Sequence, residues 1–178
     1  MTCIVGVKHQ GHLWLGGDSA GSYGVDLRVR ADEKVFHNGP FMIGYTTSYR
    51  LGQLLRFSFV PPEHPDGMDA YRYMVTLFVD AARECLSAGG YARKEDGVES
   101  AGTFLVGYRG ELYVIEDDYQ VARPMDPYAA VGCAADVALG VLYATPTEEP
   151  KARICLALSA AERFSNGVRG PFVIVTDT

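Results

Sequence analysis

Cysteine is scarce and unpatterned in this chain. Cys3, Cys85, Cys133 and Cys155 lie far apart with no Cys-x-x-Cys spacing, which excludes a zinc ribbon and a dithiol redox motif. Their mostly apolar surroundings suit free thiols acting as small hydrophobes in a reducing compartment. Histidine is equally sparse. His9, His12, His37 and His64 show no His-x-x-x-His spacing and read as surface histidines in strand ends or loops, so no metal site is expected. Glu116, Asp117 and Asp118 lack the spacing of a calcium loop and read as a solvated hairpin end. Ser19, His37 and Asp18 supply the residue types of a serine triad, but no Gly-x-Ser-x-Gly elbow presents the serine. No cofactor is expected. Lys and Arg number 16 against 22 Asp and Glu, a net charge of −6 with no basic cluster, which argues against nucleic acid as a partner. No apolar run approaches the roughly 18 residues of a membrane span, and the first residues lack the charged-then-apolar pattern of a secretory leader. A soluble, cytoplasmic protein is expected. With no repeat, low-complexity tract or linker, residues 1–178 are expected to form one domain.

What is present is a punctuated α+β pattern. Ile4 to Val7 and Leu13 to Leu15 are short β-type runs joined across Gln10-Gly11, and Gly16-Gly17-Asp18 turns the chain after them. A second hairpin joins Val35-Phe36 to Phe41-Met42-Ile43 across Asn38-Gly39. From Ser48 the pattern becomes helical, with Leu51, Leu54 and Leu55 on one side, until Pro61-Pro62 stop it in a loop reaching Gly67. Asp69 can cap a longer helix with a buried stripe of Met74, Leu77, Phe78, Ala81 and Cys85, ended by Gly89-Gly90. Residues 91–101 read as a polar loop. Thr103 to Gly107 and Leu112 to Ile115 form another hairpin around Arg109-Gly110, and Ala129 to Val131 a further strand. Helices follow over Ala135 to Tyr143 and Lys151 to Phe164, the latter started by Thr147, Glu148, Glu149 and Pro150, before a final strand from Phe172 to Val175. Blocks of antiparallel strands separated by helix pairs predict helices covering two sheets packed on each other.

The residue with the most chemistry is Thr2. Removal of Met1 would place a free α-amine beside the Thr2 hydroxyl, putting a nucleophile and its base on one residue. Such an amine titrates at about 7.7 to 8.0, so near neutrality it can take the hydroxyl proton. Asp18 and Lys34 follow Thr2 at equal steps of sixteen.

In order and spacing these landmarks resemble the proteasome β-type subunits, and especially the HslV-like peptidases, of the N-terminal nucleophile hydrolases. The likeness is carried by the opening Met-Thr-Cys-Ile-Val-Gly-Val strand, by Gly16-Gly17-Asp18 and by Lys34-Val35, and is specific in the first fifty residues. The resemblance implies a four-layer αββα sandwich of two antiparallel sheets flanked by helices. It further implies a threonine peptidase acting on peptides or unfolded protein, assembled as a homo-oligomeric ring and served by an ATP-dependent unfoldase. Two rival readings are a non-catalytic proteasome-like subunit serving as scaffold or interaction module, and a small-molecule amidase.

By the same resemblance, Thr2 is the nucleophile, Lys34 supplies a positive charge beside it, and Asp18 pairs with that lysine. The Thr47 N–H takes the oxyanion, within a Gly44-Tyr45-Thr46-Thr47-Ser48 segment where the family carries glycines in place of Thr47 and Ser48. Gly21, Asp32, Phe36, Tyr45 and Tyr49 are the expected walls of a substrate pocket. Gly132-Cys133-Ala134 stands where the family has Gly-Ser-Gly, so Cys133 replaces the serine that positions the amine. Asn166 and Arg169 are aligned with a supporting Asp and Ser.

Overall fold

The computed structural model describes residues 1–24, 26–91, 93–95 and 98–177. Strands β1 (Cys3–His9) and β2 (His12–Gly17) form the first hairpin, turning on Gln10 and Gly11, both in left-handed conformation. They join β12 (Tyr128–Gly132) and β13 (Val173–Thr176) in an antiparallel sheet ordered β12-β1-β2-β13. Strands β5 (Val35–Asn38), β6 (Phe41–Tyr45), β9 (Phe104–Tyr108), β10 (Glu111–Ile115) and β11 (Val121–Ala122) form a second sheet, ordered β11-β10-β9-β6-β5. The β5–β6 turn is centred one residue later than Asn38-Gly39, because Asn38 pairs with Phe41 and leaves Gly39-Pro40 as the loop. Two small hairpins stand apart, β3 (Ala20–Tyr23) with β4 (Asp26–Val29) and β7 (Arg93–Glu95) with β8 (Val98–Ser100).

Side-chain alternation along the strands assigns the layers. Ile4 enters a core with Leu13, Leu15, Val35, Met42, Leu105 and Leu112, which lies between the two sheets. Its neighbours Cys3, Val5 and Val7 point the other way, onto α4 (Ala135–Ala144) and α5 (Pro150–Phe164). In the second sheet Met42 and Leu105 face inward, while Phe41, Ile43, Tyr45, Phe104, Val106 and Tyr108 face α1 (Tyr49–Phe57) and the long helix after it. Three apolar interfaces therefore separate four layers, which is the αββα sandwich. The layers approach closely at glycines. A Cβ on Gly44 would lie 2.4 Å from Ile4 Cγ2 between the sheets, and one on Gly16 would lie 2.2 Å from Ile154 Cγ2 under α5.

Helix starts follow the local chemistry read from the sequence. Ser48 caps α1 by accepting from the Arg50 N–H, and Asp69 caps the next helix by accepting from Arg72. That helix departs from the expected stripe. It runs as α2 (Ala70–Tyr73), a π-helical segment (Met74–Phe78) and α3 (Val79–Ala88), and the wider π turn rotates the buried face. Leu77 is consequently exposed, while Tyr73, Val79, Ala82 and Leu86 join Met74 and Phe78 in the core. The expected loop at 91–101 contains the β7–β8 hairpin, with residues 92, 96 and 97 outside the described set. His64 is not a free surface residue: its ring stacks on Tyr73 and shares hydrogen bonds with Tyr108 Oη at 2.8 Å and the Met68 carbonyl at 2.9 Å.

Gly44→Ala is expected to destabilise the chain by about 1–3 kcal/mol in urea unfolding, because Ile4 on the facing sheet and Val35 on the neighbouring strand leave its Cβ no room.

Candidate active site

Thr2 directly precedes β1, and Asp18 directly follows the paired strand β2, so the hairpin register sets them side by side. The Asp18 N–H donates to the Cys3 carbonyl at 3.4 Å, and the Cys3 N–H returns a bond to Asp18 Oδ1 at 3.0 Å. Lys34 arrives from the other sheet, immediately before β5. Its ammonium donates to Asp18 Oδ1 at 2.9 Å and to Thr2 Oγ1 at 2.8 Å. Gly17 makes this possible, since a Cβ there would meet Ile4 and Val35 at 3.0 and 3.1 Å and Lys34 Cβ at 3.5 Å.

The three groups lie inside the molecule: Thr2 is 5% exposed, Asp18 1% and Lys34 2%. Burial of an ion pair is unfavourable unless the remaining lone pairs are met. Asp18 meets this condition with backbone donors on both oxygens, Cys3 on Oδ1, and Ala20 at 2.8 Å and Arg169 at 3.3 Å on Oδ2. Burial pushes the Lys34 pKa below its ordinary 10.5, and the attraction of Asp18 opposes that shift without cancelling it. Burial, and then the Asp18 charge, push the neighbouring Cys3 thiol up to about 12, so Cys3 is an inert thiol of the core.

Cys133, at the end of β12, touches the nucleophile's backbone. The Thr2 N–H donates to Cys133 Sγ at 3.4 Å, and that thiol lies 3.5 Å from the Thr2 carbonyl oxygen. Unlike the apolar setting expected for the cysteines, this one is exposed. Gly132 lets β12 approach, because its φ of 107° suits glycine and a Cβ would stand 2.2 Å from the Thr2 carbonyl oxygen. The residue beyond Cys133 is Ser165, whose Oγ is 3.7 Å from Sγ. The resemblance aligns Asn166 and Arg169, and not Ser165, with the supporting pair. Asn166 is exposed, and Arg169 serves through its backbone N–H to Asp18, its side chain pairing with Glu162 at 3.6 Å. A usable signal was available, since Ser165 is the residue that ends α5.

A cavity of about 460 Å³ opens beside Thr2, lined by Gly21, Tyr45, Thr47 and Tyr49 among others. Thr47 holds a φ of 64°, a left-handed conformation ordinarily left to glycine, so the backbone turn is kept although the side chain is not glycine's. Thr46 anchors it through the Thr103 carbonyl, by its N–H at 3.1 Å and its hydroxyl at 2.7 Å. The Thr47 N–H meets no acceptor among the described residues. Two expected walls are absent from the lining. Phe36 alternates with Val35 along β5, which turns its ring into the helix-side core at 2% exposure. Asp32 is drawn away to Arg30 Nε at 2.5 Å.

Met1 is 46% exposed, lines the cavity with Thr2, lies against Gly167, and accepts the Thr2 hydroxyl on its carbonyl at 2.5 Å. Its peptide bond masks the Thr2 amine.

No family model and no curated relative matches the sequence. Solved structures do match. BPH of Thiobacillus denitrificans superposes with a TM-score of 0.83 over 98% of this chain and 97% of that one, at 20% identity. The same protein in complex with epoxomicin gives 0.82 at 19% identity, over 98% of this chain and 97% of that one. HslV of Trypanosoma brucei gives 0.69 at 14% identity, covering 98% of both chains. This is the proteasome-like N-terminal nucleophile hydrolase fold. Anbu, the ancestral beta-subunit, from Yersinia bercovieri shares it at a TM-score of 0.68 and 14% identity, over 98% of this chain and 81% of its own. The described residues contain no group of three or more metal-ligating side chains, and no described helix is long and apolar enough to cross a membrane.

Asp18→Ala removes the lysine's partner and the acceptor of three backbone N–H groups together, and is expected to cost about 3–5 kcal/mol in denaturant unfolding. A loss under about 1 kcal/mol would mean that the pair is not buried as described.

Proposed function

We propose that the chain is a threonine peptidase whose nucleophile is Thr2 once Met1 has been removed. The observation that carries this reading is the 2.8 Å bond from Lys34 Nζ to Thr2 Oγ1, made by an ammonium that Asp18 holds in a water-excluded site. A hydroxyl fixed against a buried cation is unusual for a purely structural threonine. The bond favours the alkoxide over the hydroxyl, which is what a nucleophile requires.

In the proposed reaction Thr2 Oγ attacks the peptide carbonyl carbon while the unmasked α-amine takes the hydroxyl proton. The carbonyl oxygen becomes the oxyanion, toward which the Thr47 N–H is the available backbone donor, a contribution of about 2.7–4 kcal/mol where such donors have been removed. Collapse breaks the C–N bond, and the ammonium formed on Thr2 protonates the departing amine. Water then cleaves the acyl ester by the same route in reverse and restores Thr2. Cys133 Sγ holds the Thr2 nitrogen, with Ser165 behind it, a thiol doing the weaker positioning.

The substrate is read as a peptide or unfolded segment, because the cavity is an open cleft beside Thr2. Assembly into a homo-oligomeric ring is supported by the outer face of α4 and α5, where Tyr143 and Phe164 stand 78% and 76% exposed and Leu156 joins them at 47%. The epoxomicin complex of the structurally similar Thiobacillus protein supports the choice of an electrophilic probe.

Thr2→Ala is expected to abolish peptide hydrolysis with little change in unfolding midpoint, and retained turnover would refute the mechanism. For the processed protein, kcat/KM should rise with pH as the amine loses its proton. The midpoint is expected at or below about 7.7–8.0, because the Lys34 ammonium favours the neutral amine. The rate should fall again as Lys34 itself deprotonates, below the ordinary 10.5 of lysine.

A further inference from the structure

The cavity wall carries two guanidinium groups, on Arg28 and Arg30, that the proposed reaction does not use. Arg28, Arg30 and Lys34 line it against a single carboxylate, Asp26. Asp18, which balances Lys34, is buried behind the wall, and Asp32, which pairs with Arg30, is itself exposed but lies outside the lining. In a chain of net charge −6, two arginines thus stand in the lining beside Thr2.

Arg30 is also held in place. Its N–H donates to the Ser19 carbonyl at 2.9 Å, next to Asp18. Its side chain crosses the β3–β4 hairpin over Gly21, where a Cβ would come within 2.7 Å of Arg30 Cδ. Its guanidinium carbon stands 3.7 Å from the centre of the Tyr49 ring, and its Nε is bonded to Asp32. The Tyr49 hydroxyl donates to the Ala20 carbonyl at 3.2 Å, which fixes the ring beneath the guanidinium. Only one of the five guanidinium donors is spent on Asp32, leaving the others for a ligand. Arg28, across the hairpin from Gly21, makes no ion pair among the described residues. A guanidinium fork matches a carboxylate in two parallel hydrogen bonds, and the Tyr45 and Tyr49 rings offer apolar surface for the methylenes that carry it.

We propose that this cavity selects peptides bearing a carboxylate side chain, glutamate above all, on the residue that donates its carbonyl to Thr2, with Arg30 as the principal recognising group and Arg28 as its support. The inference deepens the peptidase reading and rests on it. Gly21 acquires a role in this account: its missing side chain gives Arg30 its path.

The test separates the two readings by measuring binding apart from turnover. Fluorescence anisotropy on the Thr2→Ala protein compares two labelled peptides that differ only in Glu or Gln at that residue, and hydrolysis of the same pair is followed with the processed native protein. The Glu peptide is expected to bind about tenfold more tightly, the order of one charge-assisted hydrogen bond at a partly exposed site. The preference should shrink toward unity as salt is raised to about 0.5 M. It should fall in Arg30→Gln and in Arg28→Gln, while Arg30→Lys, which keeps the charge without the fork, retains part of it. Equal binding of the two peptides, binding of neither, or an undiminished preference in both Gln variants would overturn the proposal. Hydrolysis of both peptides at equal rates would also overturn it and leave the peptidase reading standing. Glu-selective binding with no hydrolysis of either peptide would support an anion-selective cavity and sink the peptidase reading.

Discussion

The contact between a buried lysine and a buried aspartate organises this molecule. An ammonium and a carboxylate nearly removed from water are costly, and the cost is met only where every remaining lone pair finds a donor. Asp18 finds them on Cys3, Ala20 and Arg169, which belong to the first strand, the overhanging hairpin and the segment leading to the last strand. Lys34 reaches the same point from the opposite sheet. Distant parts of the chain must therefore be correctly folded before the pair can exist, and once it exists its free donor is directed at Thr2. The chemistry of the site is a consequence of packing.

The sandwich supplies the conditions for that pair. Strand alternation sorts aliphatic side chains between the sheets and larger rings toward α1, α2 and α3, so the two sheets approach closely. Glycines mark the places where backbone or side chain comes nearest: Gly44 between sheets, Gly17 under Lys34, Gly132 against Thr2 and Gly21 beneath Arg30. Each gives up a side chain so that a neighbour can reach its position. Such sites make the active region intolerant of even a methyl group, although most of them do no chemistry.

Much of this was legible in the sequence where local chemistry decides structure. The Gln10-Gly11 and Arg109-Gly110 turns, the Ser48 and Asp69 caps and the Gly89-Gly90 stop are short-range signals, and the structure has each of them. Thr2, Asp18 and Lys34 are singled out by the resemblance of the first fifty residues; the first hairpin sets Thr2 and Asp18 side by side, whereas Lys34 comes from the other sheet. The features that escaped depend on the tertiary setting. A π-helical segment rotates one stripe and exposes Leu77, which no 3.6-residue period foretells. Phe36 and Asp32 are pocket walls by the resemblance, yet one is claimed by the core and the other by Arg30. Ser165 lies some thirty residues from the cysteine it meets, and only folding brings them together. Thr47 looked like a departure from a glycine turn, but its backbone adopts the glycine conformation.

The central claim is that Thr2, freed of Met1, presents an amine and an activated hydroxyl on one residue beside Lys34. A peptide epoxyketone addresses both groups, since its ketone takes the hydroxyl and its epoxide carbon takes the amine. The most direct measurement is tandem mass spectrometry of the N-terminal peptide after treating the purified protein with such a compound. The account predicts a peptide that begins at Thr2, lacks Met1 and carries the intact inhibitor joined at both Thr2 atoms, with no adduct on Lys34→Met protein. An unmodified N-terminal peptide that retains Met1, or an adduct found on Cys133 alone, would contradict it.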